Sequence, residues 1–511
     1  QHDEAEKLAL SLTQQFPKHQ LGWSVLGAVF AQTGRISEAL DANQKLISLS
    51  PQDAKAHSNL AMMLQELGRL KEAEASCRRA ITLKPDYVQA HVNLGKTLHE
   101  LGKLDKAEAS YTQAIALKPD YAEAHNNLGA TLQELGRLQE AEASFRQAIT
   151  LKPDFFEAYN NLGHTLTLVS RLEEAEISLR QAILIKPNYG EAYNNLGNTL
   201  KELVKLEEAE ASYRQAIALT PDYAHSHYNL GVTLKALGKL EEAEASCRGA
   251  IALKPNFAGA YSDLGRILYE LGYEDSALES MEKASDIEPQ SKEFLLQLSV
   301  MKSRKSRRGS KAAVIDTSKI GALSRLISNP LILNRMVEAE LISNLYGMSF
   351  MEMDKTKNSV LLAAGKDDAR YGNGICSPDF NLFEDARSII RKLAEDLTVI
   401  MMEAVKSDIF IIDSFFNILS AGGGLVPHNH MSSLDMDTAL GLGKQKYSLV
   451  YYLCVGDQNC SEPGILKLYE PRKDILPIEG MIVIIPASRA HSIVYGGKTD
   501  RVIIGVNFYS I

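Results

Sequence analysis

Three histidines near the C-terminus have the spacing of a metal-binding motif. His428 and His430 are separated by one residue, and His491 follows much later in the chain. Imidazole is a good ligand for Fe(II), and three ligands on one face of the ion leave positions open for a co-substrate and for O₂. We therefore interpret these three histidines as candidate iron ligands, which predicts a site of oxygen chemistry.

A single arginine completes this constellation. Arg501 lies ten residues after His491. A guanidinium binds a carboxylate through charge-assisted and often bidentate hydrogen bonds. Arg501 is therefore the candidate for holding an organic acid that serves as a co-substrate.

The elements that must position these residues are short strands. From about residue 408 onward, apolar runs rich in β-branched and aromatic residues alternate with Gly and Pro, which favours a sandwich or barrel. Two amphipathic helices are predicted before them, over 333–348 and 383–405. The predicted strands are 409–412, 415–419, 447–453, 465–469, 481–485 and 502–509.

The order His428-Asn429-His430, His491, Arg501 resembles the 2-oxoglutarate/Fe(II)-dependent oxygenases, in particular a bacterial subgroup with His-x-His ahead of a Tyr-Tyr strand. The resemblance covers about 380–511 well and 315–380 weakly. It implies a double-stranded β-helix (jelly roll) with flanking helices, and Fe(II), 2-oxoglutarate and O₂ as cofactors. It also implies that Arg501 binds the far carboxylate of 2-oxoglutarate, with Tyr452 and Asn417 near the same pocket.

One position departs from the family pattern. His430 stands where these oxygenases carry a carboxylate, so the site has one negative charge fewer than the usual triad. Asp435 could supply that carboxylate instead of His430, although its spacing differs from the family's. The segment 431–446 around it is long enough to be a lid over the pocket, and an ordinary surface loop is the alternative.

The first part of the chain is organised by prolines. A spacing of 34 residues is the signature of tetratricopeptide repeats, and residues 18–289 resemble that family throughout. The resemblance implies an all-α superhelix whose first helices line a concave groove. The nine regularly spaced prolines are Pro17, Pro51, Pro85, Pro119, Pro153, Pro187, Pro221, Pro255 and Pro289.

This periodicity predicts the domain organisation. Residues 1–17 would be the second helix of a partial repeat, which leaves open whether repeats precede Gln1. Eight repeats would occupy 18–289, a capping helix and a basic linker 290–314, and the oxygenase-like domain 315–511. We interpret the basic run after residue 302 as a solvated hinge, with a nuclear signal as the alternative.

Each repeat carries glycines at two positions. A Leu-Gly step in the first helix permits close helix packing, and a second Gly ends that helix in the left-handed conformation. Ser170 and Val204 replace the second Gly, which predicts strained or differently shaped turns. Cys77 and Cys247 occupy a position that other repeats fill with aromatic residues, so we interpret them as core residues.

A ladder of asparagines precedes the Leu-Gly steps. A primary amide donates and accepts hydrogen bonds, so it can pair with a peptide backbone whatever its side chains. The ladder resembles that of the O-linked N-acetylglucosamine transferase, which implies binding of a protein or peptide. The alternative is that each Asn bonds a neighbouring turn. This asparagine ladder comprises Asn59, Asn93, Asn127, Asn161, Asn195 and Asn229.

Four histidines of the repeats occupy a position that other repeats fill with Trp or Tyr, so we interpret them as packing residues. They are His57, His91, His125 and His227.

The bulk properties exclude some classes of protein. The net charge of −9 argues against a nucleic-acid binder, and no apolar run is long enough to cross a membrane. The five cysteines form no CxxC pair, which favours a reducing compartment, and a cytoplasmic location is expected.

These observations favour a 2-oxoglutarate-dependent dioxygenase that hydroxylates a protein or peptide recruited by the repeats. Two alternatives stay open. One is a non-catalytic interaction scaffold with a degenerate jelly roll. The other is a three-His dioxygenase that does not use 2-oxoglutarate.

Overall fold

In the computed structural model the chain divides into two compact units, residues 1–253 and 254–511. Side chains are described except at residues 2, 306–309, 339, 351–371 and 425–428. The structure describes residues 2–309, 330–349, 351–352, 361–363, 366–368, 370–371, 374–377, 380–428, 430–432, 435 and 441–511.

The first unit is built from helices of 13 or 14 residues. After the first helix they form pairs, α2 with α3 through α14 with α15, and each second helix ends a residue or two before one of the regularly spaced prolines. The helices are α1 (His2–Gln15), α2 (Gln20–Gln32), α3 (Ile36–Leu49), α4 (Ala54–Glu66), α5 (Leu70–Leu83), α6 (Val88–Glu100), α7 (Leu104–Leu117), α8 (Ala122–Glu134), α9 (Leu138–Leu151), α10 (Phe156–Leu168), α11 (Leu172–Ile185), α12 (Gly190–Glu202), α13 (Leu206–Leu219), α14 (Ala224–Ala236) and α15 (Leu240–Leu253).

The Leu-Gly step permits the close packing that the sequence predicts. A Cβ built on Gly129 would lie 2.7 Å from the ring of Phe145 in the second helix of the same repeat. Cys77 occupies the position of that ring in an earlier repeat. Its side chain is fully buried, and burial raises the pKa of its thiol to about 12. The prediction that Cys77 is a core residue is therefore confirmed.

The two turns that lack glycine keep the conformation of the others. Ser170 and Val204 both have a φ of 59°, close to the 69–76° of Gly102 and Gly136 in equivalent turns. The turns are therefore not differently shaped, and the prediction of strain is confirmed because a side chain occupies the left-handed region.

The second unit begins with the last helix pair and continues into the sheets. Its helices are α16 (Ala258–Glu270), α17 (Glu274–Ile287), α18 (Lys292–Gly309), α19 (Ala339–Tyr346) and α20 (Ser388–Val405). Its strands are β1 (Leu331–Asn334), β2 (Met351–Glu352), β3 (Leu361–Ala363), β4 (Lys366–Asp368), β5 (Arg370–Tyr371), β6 (Gly374–Cys376), β7 (Ile409–Leu419), β8 (Gly423–His428), β9 (Lys446–Cys454), β10 (Leu466–Leu468), β11 (Lys473–Ile475), β12 (Met481–Pro486), β13 (His491–Tyr495) and β14 (Arg501–Ser510).

Two predicted elements differ from the structure. The helix predicted over 333–348 is limited to α19, because the apolar residues before it form β1 and pair with β12. The basic run after residue 302 is helical rather than extended over its described part, since α18 continues to Gly309, and Lys311 lies outside the described residues. Lys302 forms an ion pair with Glu282 of α17 at 2.8 Å, so the positive charges extend a helix that packs on the last repeat.

Two antiparallel sheets face each other in the second unit. The seven-stranded sheet has the order β1-β12-β9-β14-β7-β6-β2, and the five-stranded sheet β11-β10-β13-β8-β5. A shared core between them includes Tyr452, Ile485 and Ile503 from the first sheet and Leu466 and Ile493 from the second. Helices α19 and α20 cover the opposite face of the seven-stranded sheet.

The last repeat shares a core with the β-rich part of the chain. Met281 of α17 and Val300 of α18 cluster with Leu442 and Tyr509, all of them buried. The predicted boundary after residue 289 therefore does not separate compact units. Among the helices that the structure describes, none has the length and hydrophobicity required to traverse a bilayer.

Candidate functional site

Strand pairing brings the ends of the histidine motif together. His428 is the last residue of β8 and His491 the first residue of β13, and the two are opposite each other in the antiparallel register. The side chain of His428 lies outside the described part of the structure. His430 follows on the chain, where its backbone N–H donates to the carbonyl of Ala487 at 2.9 Å.

The rings of His430 and His491 meet at the nitrogens expected to bind a metal. Their Nε2 atoms are 3.3 Å apart, with the ring planes inclined by 30°. Two imidazole nitrogens that each lie about 2.1 Å from one ion, at an angle of about 100°, are about 3.2 Å apart. The spacing of these two side chains therefore fits a shared metal ion such as Fe(II).

The third ligand of the predicted set cannot be placed, because it would be His428. Among the side chains that the structure describes, no group of three or more His, Cys, Asp or Glu residues is arranged to hold a metal. The described geometry thus supplies two of the three predicted ligands.

A buried polar row lies beside the histidine pair and was not predicted. Asn507 of β14 is opposite Asp413 of β7 and Ser448 of β9. Its amide nitrogen is 3.3 Å from Nδ1 of His430. The available signal in the sequence was a lone amide in the apolar run 502–509, a position where a polar side chain needs a buried partner.

Asp435, the alternative third ligand, has other partners. Its Oδ2 accepts hydrogen bonds from Ser432 and from Lys446 Nζ at 2.9 Å, and its Oδ1 accepts one from the Tyr509 hydroxyl at 2.6 Å. Burial alone would raise the pKa of Asp435, but these hydrogen bonds outweigh it and lower the pKa. The carboxylate therefore anchors the segment 431–446 and is not directed at a metal.

Arg501 does not have the geometry that a co-substrate clamp requires. Its side chain is fully buried. Its Nε and Nη2 donate to the carbonyl of Val455, Nη2 also donates to Pro463, and Nη1 donates to Gly464. Four of its five N–H groups are therefore engaged by main-chain oxygens, and the expected bidentate pairing with 2-oxoglutarate does not fit this arrangement.

The two other predicted pocket residues share one row of the seven-stranded sheet. Tyr452 and Asn417 lie opposite Ile503 from the two sides of β14, and both side chains are fully buried. Within the described residues the Tyr452 hydroxyl has no hydrogen-bond partner, and burial raises its pKa. A buried hydroxyl without a partner is a position where a bound molecule would gain a hydrogen bond.

The asparagine ladder connects successive repeats. The amide nitrogens of four of its six residues donate backward to the first helix of the preceding repeat, as the alternative interpretation expected. These bonds join Asn93 to Ser58 Oγ (3.0 Å), Asn161 to Asn126 Oδ1 (3.1 Å), Asn195 to Asn160 Oδ1 (2.9 Å) and Asn229 to Asn198 Oδ1 (3.0 Å).

The amide oxygens of this ladder are used differently along the chain. Those of Asn93 and Asn161 accept hydrogen bonds from Gln89 and Asn160. Those of Asn195 and Asn229 accept none from any residue that the structure describes, and both side chains are half-buried. The acceptor half of the amide is therefore open to a ligand at these two repeats.

The four histidines that the sequence predicts to be packing residues share one contact within their own repeats. In each, Nε2 lies within hydrogen-bond distance of the carbonyl of the proline six residues earlier. These pairs are His57 with Pro51 (3.1 Å), His91 with Pro85 (2.9 Å), His125 with Pro119 (3.0 Å) and His227 with Pro221 (2.9 Å).

Family comparisons agree with the repeat architecture. Models described as TPR repeat or tetratricopeptide repeat match residues 1–54, 54–87, 76–109, 95–136, 122–155, 156–189, 205–238, 224–257 and 258–291. The N-terminal part of the chain is therefore a tetratricopeptide repeat array. Such repeats imply a protein–protein interaction scaffold.

Solved structures resemble parts of the chain. The APC/C hetero-tetramer Cut9-Hcn1 is similar over 58% of this chain at 15% identity, with a TM-score of 0.45, and the chain spans 59% of that structure's length. YrrB, described as a TPR protein with an unusual peptide-binding site, has 24% identity and a TM-score of 0.31 over 36% of this chain and 95% of its own. MamA has 25% identity and a TM-score of 0.30 over 32% and 95%. No curated protein sequence matches the chain.

Proposed function

We propose that this chain is a protein-binding scaffold whose second unit carries an Fe(II) centre that oxidises a captured polypeptide. The observation that carries the proposal is the 3.3 Å approach of Nε2 of His430 to Nε2 of His491. An Nε2 separation of this size is compatible with two imidazoles that bind one metal ion.

The strand order supports a double-stranded β-helix around this centre. The eight strands from β7 to β14 pair as in one long hairpin. The first strand pairs with the eighth, the second with the seventh, the third with the sixth and the fourth with the fifth. Jelly rolls arise from such wrapping and place a pocket between their two sheets. The pairs are β7 with β14, β8 with β13, β9 with β12 and β10 with β11.

The residues of the chain bind the metal and exclude water. His430 and His491 would hold Fe(II) through Nε2, together with His428 from the neighbouring strand. When bound, Fe(II) would supply the activation of O₂ that hydroxylates a C–H bond, with 2-oxoglutarate as the two-electron donor that takes up the second oxygen atom and leaves as succinate and CO₂. The apolar walls formed by Ile485 and Ile503 keep water from the space between the sheets.

The contacts of Arg501 argue against 2-oxoglutarate as the co-substrate. The family resemblance names 2-oxoglutarate, yet Arg501 already donates to three carbonyl groups. This engagement favours the second candidate function, in which the chain is a scaffold without 2-oxoglutarate turnover. Whether catalysis depends on 2-oxoglutarate therefore forms one arm of the experiment.

The captured partner is proposed to be an extended polypeptide. The free amide oxygens of Asn195 and Asn229 are one repeat apart and can accept N–H groups from a peptide backbone. Because a backbone N–H recurs in every residue, this recognition would be independent of the partner's side chains.

Metal binding tests the centre directly. Fe(II) is titrated under anaerobic conditions into the full chain and into His491→Ala, and we expect this variant to lose binding by at least 10-fold. His125→Ala is the matched control, because its ring bonds only a proline carbonyl in the repeats. Equal binding by all three chains would overturn the assignment of the ligands.

Turnover is then measured as O₂ consumption by the Fe(II)-loaded chain, with and without 2-oxoglutarate. Succinate release that depends on His491 but not on Arg501 would support an oxygenase with a different carboxylate anchor. O₂ consumption without 2-oxoglutarate would identify the three-His alternative. If iron binds but no turnover occurs in the presence of an unfolded polypeptide, the non-catalytic scaffold is the function that remains.

Peptide capture is tested by anisotropy with labelled, reduced and carbamidomethylated α-lactalbumin. Asn195→Leu removes both the donor and the acceptor of the ladder, and we expect weaker binding. Asn195→Asp keeps the acceptor but loses the bond to Asn160, so it should retain binding. Equal loss in both variants would show that the asparagine only connects repeats.

A further inference from the structure

The side chain of Asn507 is held by residues on both neighbouring strands. It lies in the middle of β14, is 5% exposed, and faces Asp413 of β7 and Ser448 of β9. The Ser448 hydroxyl donates to Asn507 Oδ1 at 2.5 Å. The Asn507 Nδ2 donates to Asp413 Oδ1 at 2.7 Å.

These two bonds determine which way the amide points. If the amide were turned over, its oxygen would lie 2.7 Å from a carboxylate oxygen, and two acceptors would face each other without a hydrogen between them. The Nδ2 group must therefore lie on the side of Asp413. Its second hydrogen is then available to Nδ1 of His430, 3.3 Å away.

The direction of this bond determines where His430 carries its own hydrogen. An amide N–H can only donate, so Nδ1 of His430 must accept, and a neutral imidazole then holds its hydrogen on Nε2. That hydrogen points at Nε2 of His491. His491 in turn has its hydrogen on Nδ1, 3.2 Å from the carbonyl of Arg489.

The two histidines therefore differ in whether the nitrogen that would bind a metal carries a hydrogen. Metal-binding histidines usually donate their other ring N–H to a carbonyl or carboxylate, which leaves the binding nitrogen with a free lone pair. His491 meets this condition through Arg489. His430 does not, because the hydrogen it would have to lose is on the nitrogen that would bind.

We propose that Asn507 is a positioning residue. It keeps the hydrogen of His430 on Nε2 and so lowers the affinity of the histidine pair for a metal ion. The metal site itself rests on the proposed function. The tautomer of His430 in the metal-free chain does not, because it follows from the orientation of the Asn507 amide.

The test exchanges the two partners, Asp413→Asn together with Asn507→Asp. This exchange conserves charge and size, and the new carboxylate at position 507 accepts a hydrogen from Nδ1 of His430, which frees Nε2. We expect Fe(II) to bind about 10–100-fold more tightly than to the unaltered chain, the range over which such outer partners act. Ser448→Ala alone is the control, since Asp413 still holds the Asn507 Nδ2 group on its own side and Asn507 remains a donor to His430, and it should not raise the affinity.

The tautomer is measured independently of metal binding, from the ring ¹⁵N signals of histidine in NMR spectra of the ¹⁵N-labelled, metal-free chain. The spectrum is taken at about pH 8.5, well above the ordinary histidine pKa of about 6.5, and His430→Gln identifies the signals. We expect the hydrogen on Nε2 in the unaltered chain and on Nδ1 in the double variant.

Two results would overturn the inference: a hydrogen on Nδ1 of His430 in the unaltered chain, or a double variant that changes tautomer but binds Fe(II) no more tightly. If no chain binds Fe(II), the proposed metal function fails, while the NMR spectrum still decides the role of Asn507.

Discussion

The ammonium group of Lys446 lies 2.9 Å from Oδ2 of Asp435, and both side chains are almost completely buried, at 7% and 0% exposure. This pair holds the segment 431–446 at two points, because Lys446 begins β9 and Asp435 lies inside the segment. Leu442, in the same segment, is buried against α18 and the last repeat. The described part of the segment is thus packed into the second unit.

Breaking this ion pair should destabilise the second unit strongly. Lys446→Met leaves the Asp435 carboxylate buried without its counter-charge, and we expect a loss of about 3–5 kcal/mol in the free energy of unfolding. Calorimetry of the full chain would record this as a lower melting temperature for one transition. Asp435→Asn combined with Lys446→Met should recover part of the loss, and a single variant as stable as the parent would contradict a buried pair.

The same pair predicts a dependence of stability on pH. Hydrogen bonds from Tyr509, Lys446 and Ser432 hold the pKa of Asp435 below its ordinary value of 3.8. A lowered folded-state pKa stabilises the fold above the ordinary value, and the contribution is lost as the pH falls through the folded-state pKa. Melting temperatures measured from neutral pH downward should therefore fall below about pH 4, and the fall should be smaller in Asp435→Asn.

The left-handed turn at Val204 should be improved by glycine. Val204 has a φ of 59° and is 75% exposed, so replacing it removes strain and loses little packing. We expect Val204→Gly to stabilise the repeats by about 1 kcal/mol, measured by urea unfolding and circular dichroism. Gly238→Val, at the equivalent turn, should cost a similar amount. A neutral Val204→Gly would show that the turn carries no strain.

A side chain at position 129, next to the ring of Phe145, should destabilise the repeats. A Cβ on Gly129 would lie 2.7 Å from its ring, so Gly129→Ala must displace the ring or the helix, at a cost of about 1–3 kcal/mol in stability. Phe145→Cys, added to Gly129→Ala, should recover much of this cost. The second repeat already combines alanine and cysteine at these positions as Ala61 and Cys77, both of them buried.

Much of the first unit could be predicted because its determinants are local. The prolines and glycines set the ends of helices within one period of 34 residues, and each repeat packs mainly on its neighbours. The asparagine ladder was visible in the sequence. Which atoms of it remain available was not, because Asn195 and Asn229 donate to residues of the preceding repeat.

The candidate site could be predicted only in part. The convergence of His430 and His491 was expected because their order in the chain resembles that of the 2-oxoglutarate/Fe(II)-dependent oxygenases. The roles of Arg501 and Asp435 depended on partners that no sequence motif indicates. Arg501 donates to carbonyl groups 37 and 46 residues away in the chain. Asp435 accepts from the Tyr509 hydroxyl, which is 74 residues away.

The sequence by itself determined the repeat architecture, the β-rich character of the C-terminal part and the identity of the candidate ligands. Only the tertiary structure decided how the polar groups around those ligands are paired. Asn507 shows the reason. Its partners Asp413 and Ser448 are 94 and 59 residues away and reach it only because β7 and β9 flank β14. The register of three strands therefore sets which nitrogen of His430 carries a hydrogen, and strand register is a property of the whole sheet.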